Sequence, residues 1–137
     1  MYGKIKEIKE VENVRLDGEA WSSQDGYEVI TTKTSIYVLI DNGQSCCEKY
    51  GYFSSDDDLN QFIGAKLKEI TLTDIALNTK TIEFVKELYL YAGGIQFVTF
   101  NTNKGLFQLA VYNAHNGYYG HDIQVVVGDD VILTDRL

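Results

Sequence analysis

The chain has 137 residues, 45% of them hydrophobic and 23% charged, with a formal charge of −8 at pH 7. That length and balance suit one globular domain, residues 1–137, around one core, and exclude a disordered or collagen-like chain. The carboxylate excess speaks against direct nucleic-acid binding, which rests on Lys and Arg neutralising phosphates, and points to a basic partner.

Apolar runs such as Ile36–Ile40 and Val125–Val127 fall far short of the roughly 18 residues of a membrane helix, and Met1-Tyr2-Gly3-Lys4 opens no signal-peptide pattern. A cytoplasmic protein without membrane contact is the expectation. Cys46 and Cys47 are neighbours, a spacing unsuited to a disulfide staple.

In chain order, Lys4–Val11 places apolar residues at spacing three and fits either a short helix or an irregular first strand. Turn signals from Asp17-Gly18 to Asp25-Gly26 surround Trp21, the only tryptophan, and predict a loop pinning that ring on the core. Tyr27–Asp41 predicts a hairpin: Tyr27, Val29, Ile36, Val38 and Ile40 are β-type residues about a turn at Thr31–Thr34. Asp41-Asn42-Gly43 ends it and leads to Cys46-Cys47-Glu48, with Tyr50, Tyr52 and Phe53 close behind.

Ser54–Gly64 reads as a short helix near Asp57–Ile63. Ser55 would cap it, Asp56, Asp57 and Asp58 would sit at its positive end, and Gly64 would close it. The acidic triplet lacks the alternating ligands and closing Glu of a calcium loop. Leu67–Leu77 alternates as a strand. Thr81–Tyr91 fits a helix closed by Gly93-Gly94 and a strand equally well. Ile95–Thr102 predicts a strand, joined through Asn103-Lys104-Gly105 to another over Leu106–Asn113.

Next, Asn116-Gly117 is the dipeptide suited to a type I′ turn, so a hairpin is predicted between that strand and Ile123–Val127. Its tip would hold the chain's two histidines, His115 and His121, with Tyr118 and Tyr119 between them. A turn at Gly128-Asp129-Asp130 would lead to a last short strand at Val131–Leu133. The expected fold class is α+β: mainly an antiparallel twisted β-sheet with one or two short helices. Its core would include Val29, Ile36, Val38, Ile40, Phe62, Leu67, Ile70, Leu72, Phe97, Val98, Leu109, Val111, Ile123 and Val125. The chain contains no proline, so charge, bulges or a second copy must guard its strand edges, and a homo-oligomer is one expectation.

The pieces Asn42-Gly43-Gln44-Ser45-Cys46-Cys47-Glu48-Lys49-Tyr50-Gly51-Tyr52-Phe53 and Tyr112–His121 resemble a family of small uncharacterised bacterial and phage proteins, the DUF7448-like group. The resemblance spans about residues 25–127 and leaves out the first 24 residues and Thr81–Gly94. It assigns no activity. It implies a phage or mobile-element setting, in which small acidic proteins often inhibit host defence.

Four chemistries compete. Cys46, Cys47, His115 and His121, with Glu48, have the residue types of a zinc site, but adjacent cysteines on a strand point to opposite faces and no C-x₂₋₄-C knuckle is present. Cys46 or Cys47 with a histidine base, and Asp122 or Glu48 as orienter, has the logic of a thiol enzyme without a nucleophile signature. A nucleotide sponge would rely on tyrosine stacking and on lysines, since Arg15 and Arg136 are the only arginines. The fourth is a non-enzymatic inhibitor of a basic protein surface, motivated by the charge, the ten tyrosines and the acidic clusters; tyrosine is enriched at interfaces and carboxylates steer cationic partners. This last is the expected function. Asp56, Asp57, Asp58, Tyr118, Tyr119, Asp129 and Asp130 would bind the partner, without catalytic residues or cofactor. A nucleic-acid-binding defence effector such as a Cas nuclease offers the required positive channel, which makes an anti-CRISPR role its sharpest form.

Overall fold

The computed structural model describes residues 2–16, 23–43, 49–87, 94–114 and 121–137. Among these, nine strands run in chain order: β1 (Ile5–Val14), β2 (Gln24–Thr31), β3 (Ser35–Asp41), β4 (Lys49–Ser54), β5 (Leu67–Thr73), β6 (Gly94–Thr102), β7 (Gly105–Ala114), β8 (Asp122–Val127) and β9 (Asp130–Arg136). A 3-10 helix at Leu59–Phe62 and one α-helix, α1 (Thr79–Glu87), complete the described elements. The fold is thus largely β, a correction to the α+β expectation: the amphipathic stretches outside the sheets are too short to form a helical layer.

The strands form two sheets, ordered β1-β2-β3-β8-β9 and β4-β7-β6-β5. Their pairings are antiparallel throughout. Alternation gives each sheet an apolar face: Tyr27 and Val29 on β2, Ile36, Val38 and Ile40 on β3, and Ile123 and Val125 on β8 meet Val98, Phe100, Leu109 and Val111 of the second sheet in one buried cluster. Phe100 and Phe107 stack there with rings 4.8 Å apart and nearly parallel.

The hairpin predicted over Tyr27–Asp41 forms, with Thr31 Oγ1 accepting the Lys33 and Thr34 amides at its turn. The opening segment takes the strand alternative, because β1 lies along β2. Thr81–Tyr91 resolves in favour of helix over its first part. Gly128, with φ +61°, turns β8 into β9 as expected.

Three expectations fail. Leu106–Val111 and Ile123–Val127 do not form a hairpin: β7 pairs with β4 and β6, whereas β8 pairs with β3 and β9 in the other sheet. The good turn dipeptide Asn116-Gly117, outside the described residues, therefore lies on a connection between sheets. The short helix is only a 3-10 turn, capped by Asp58 rather than Ser55: Asp58 Oδ1 accepts the Asn60 amide at 3.0 Å. Ser55 is instead buried against β7, where its Oγ accepts the Gln108 amide at 2.8 Å. Finally, Leu72 is exposed and Ile70 only half-buried: they pair opposite the buried Val98 and Phe100, but β5 is the edge strand of its sheet and has no further strand to cover them.

The outer face of the four-stranded sheet carries a second apolar group. Phe53 and Phe97 flank Ala110 in register, and Phe84 of α1 lies 4.5 Å from Phe53 and 5.7 Å from Tyr112, ring centre to ring centre. These contacts dock α1 beside edge strand β4.

Candidate functional site

The position of α1 is fixed by polar groups that the hydrophobic pattern does not reveal. Asn78 caps it, its Oδ1 accepting from the Thr81 amide at 3.1 Å and the Thr81 hydroxyl at 3.0 Å. Asn78 is in turn tied down by its Nδ2, which donates to the Ser55 carbonyl at 3.1 Å. Ser55 exchanges two hydrogen bonds with the Gln108 main chain. The Gln108 side chain, 2% exposed, completes the tether: Nε2 donates to the Ile75 carbonyl and Thr99 Oγ1, and Oε1 accepts the Leu77 amide. From β7 to the first turn of α1, each link is a hydrogen bond.

A cleft results where the free edge of β4 meets β2 on one side and α1 on the other. It encloses about 410 Å³ lined by Tyr27, Phe53, Ser54, Asp57, Thr81, Glu83 and Phe84. Tyr27, Ser54 and Asp57 also border an adjoining hollow of about 370 Å³, whose other walls include Glu10, Asp56, Asp58 and Lys9. Aromatic rings thus form the floor and carboxylates the rim. Lys9 reaches Glu28 at 3.7 Å across the β1–β2 pair, which leaves the balance of the lining negative.

The phenols register that field. Burial, followed by the charge of Glu10, pushes the Tyr27 hydroxyl well above its usual range, opposed by a hydrogen bond with Ser54. Tyr52, packed edge-on to Tyr27 at 5.2 Å, is raised by burial and then by Glu10, Asp25 and Glu12. Both tyrosines therefore remain neutral hydroxyls at neutral pH. Ser54 Oγ also donates to the Asp56 carbonyl at 2.7 Å, holding the acidic loop against the cleft.

A third hollow, of about 470 Å³, lies over Thr71, Thr73, Thr99 and Leu106 on the outer sheet face. Its side chains are mostly neutral, so it offers far less electrostatic discrimination.

Of the residues predicted to bind a partner, Asp56, Asp57 and Asp58 line the acidic hollow together. Asp129 and Asp130 stand apart, at the turn into β9, the edge of the five-stranded sheet opposite β1. Tyr118 and Tyr119 lie outside the described residues, as do the metal or thiol candidates Cys46, Cys47 and His115, and Glu48.

His121 is described, and it is embedded. It is 1% exposed, its Nδ1 lies 2.6 Å from the Asp41 carbonyl, and its ring stacks on Tyr50 at 4.5 Å. With Nδ1 donating to that carbonyl, the imidazole joins β3 to β8. Asp122 does not orient it: this carboxylate faces solvent and meets Arg136 Nη1 at 3.0 Å. Among the described residues, which omit both cysteines, no three His, Cys, Asp or Glu side chains are placed to hold a metal ion.

Sequence reasoning found the acidic triplet but missed the rest of the cleft. Asn78, four residues before Ile82, offered a readable cap signal; nothing local linked Tyr27, Phe53 and Phe84 across three elements.

A model of a domain of unknown function, DUF7448, matches residues 2–125. The chain belongs to that family. The DUF7448 match includes the first strand and the part of α1 from Thr81 on, both outside the span of the resemblance read from the sequence, so the entire cleft falls within the family domain. Neither the curated proteins nor the solved structures gave a match. No helix among the described residues of this DUF7448 protein is long and apolar enough to cross a membrane.

Proposed function

We propose that this DUF7448 protein works without catalysis, as a stoichiometric ligand that covers a basic surface on another macromolecule and inhibits it. The observation that carries this reading is the pair of adjoining hollows beside β4: Asp57 and Glu83 border the one floored by Tyr27, Phe53 and Phe84, and Glu10, Asp56, Asp57 and Asp58 border the other. Carboxylates steer a cationic partner into register, and aromatic rings supply contact area at low entropic cost.

The target class proposed is a nucleic-acid-binding defence effector of a bacterial host, whose positive channel an acidic domain can occupy. Inhibition of a Cas nuclease is the sharpest form of that proposal. Tagged protein is to be incubated with purified effectors and with lysate of an immune host. Near one-to-one recovery of a basic nuclease, loss of its cleavage activity, and relief of that inhibition by Asp56→Asn/Asp57→Asn/Asp58→Asn are expected. Failure both to bind any effector and to restore phage growth on an immune host would reject it.

A further inference from the structure

We infer that the cleft between β4 and α1 is a receptor for a guanidinium group on an aliphatic stem, the chemistry of an arginine side chain. The inference deepens the binding reading above, on which it rests for the partner but not for the cleft's own chemistry.

Size comes first. A space of about 410 Å³, sharing Tyr27, Ser54 and Asp57 as walls with an adjoining one of about 370 Å³, is that of a small-ligand site rather than of a packing defect. Charge then selects the occupant. Asp57 and Glu83 border the first space and Glu10, Asp56 and Asp58 the second, so an anion is repelled and a cation attracted. The walls decide which cation. Phe53 and Phe84, tilted 42° to each other, with Tyr27 beside them, offer ring surface that a hydrated metal ion cannot use.

A guanidinium can use both parts. It is flat, weakly hydrated and always charged, it packs against aromatic faces, and its fork of N–H donors matches carboxylates. The hydroxyls of Ser54 and Thr81 border the same space and, with their protons donated to Asp56 and Asn78, retain only acceptor capacity, which suits a donor-only ligand. The guanidinium would lie against the ring faces with its N–H fork at the carboxylate rim, and the alkyl stem would lead back to solvent.

The test is titration of the ¹⁵N-labelled full chain, followed by amide shifts. The probes are agmatine, the peptide acetyl-Gly-Arg-Gly-amide, and the same peptide with citrulline, which keeps the shape and loses the charge. Saturable shifts centred on Tyr27, Ser54, Thr81 and Phe84 are expected with a charged probe and not with citrulline. Agmatine binding tighter than the arginine peptide would identify a free guanidino compound as the source; the reverse order would identify a partner's side chain. The double variant Glu83→Gln/Phe84→Leu should weaken binding roughly tenfold, the sum of one exposed ion pair and one cation–π contact. Asp135→Asn, on the far edge strand β9, should leave it unchanged. Equal responses to arginine and citrulline, shifts spread over all surface carboxylates, or indifference to the double variant would overturn the inference. The spectrum itself reports whether each variant is folded. Any of those failures combined with retained capture of a basic effector would reject the cleft and keep the protein-binding reading.

Discussion

Replacing Gln108 by alanine should cost about 3 kcal/mol, although nothing in the sequence pattern marks the residue. The side chain makes three hydrogen bonds, to the Ile75 carbonyl at 2.8 Å, to Thr99 Oγ1 at 3.0 Å and from the Leu77 amide at 2.8 Å. Each is worth about 1 kcal/mol net, more where a backbone group is left dry and less where water replaces the lost partner. Ile75 is 76% exposed, so its carbonyl can be rehydrated, whereas the Leu77 amide sits deeper. Lost packing of a 2% exposed side chain adds to the total. Urea unfolding at 25 °C measures the sum, and hydrogen exchange locates it: the Leu77 and Thr81 amides should lose protection before the β3–β8 ladder does. Gln108→Met, which keeps the volume, should recover under half of the loss. A change below about 0.5 kcal/mol for Gln108→Ala, or lost stability with Leu77 protection intact, would refute the tether as the support of α1.

Asn78→Ala should remove the cap and cost about 1 kcal/mol, while Asn78→Asp should retain most of it; thermal melts of both variants decide. Gly26 has φ +154°, and a methyl group there would come within 2.0 Å of the Val38 carbonyl oxygen in the β2–β3 ladder. Gly26→Ala should therefore lower the melting temperature by on the order of 10 °C, checked by calorimetry. His121→Ala, which deletes the ring between Tyr50 and Asp41, should cost about 3 kcal/mol, read from its urea midpoint. In the folded chain the phenols of Tyr27, Tyr37, Tyr52 and Tyr112 are all raised, in each case first by burial. The unfolded chain then releases protons first, so stability is fully present below about pH 10 and falls as the pH rises through that value. Tyr27→Phe should flatten the fall between pH 9 and 11; an unchanged slope would show that Tyr27 contributes nothing to it.

Much of the sheet structure could be read because its signals are local. The Tyr27–Asp41 hairpin combines β-branched alternation with a threonine-rich turn, and β6–β7 turn tightly at Asn103-Lys104-Gly105. Asn116-Gly117 misled for the same reason: a dipeptide that suits a hairpin carries no information about which sheet the next strand joins. At Leu72 the alternation was right but the edge position exposed it. Thr81–Tyr91 was ambiguous because Ile82, Phe84 and Val85 fit two periods, and the Asn78 cap, tied back to Ser55, decides for helix. The cleft was legible only in its acidic triplet. Its aromatic floor comes from β2, β4 and α1, which no spacing in the sequence links, and the burial of His121 depends on a strand partner 80 positions away.

The order of the strands sets a sequence of events for the growing chain. The four-stranded sheet is one uninterrupted segment, β4 to β7, whereas the five-stranded sheet is assembled from two pieces on either side of it. The β3–β8 ladder, from Ile36↔Val127 to Ile40↔Ile123, can close only after that whole segment has been made. Until then β3 presents an unpaired edge bearing Ile36, Val38, Leu39 and Ile40, all fully buried once the fold is complete. With no proline to interrupt it, this edge is the place where a nascent or truncated chain would recruit a neighbour's strand, and early termination before β8 should yield aggregate rather than a smaller domain.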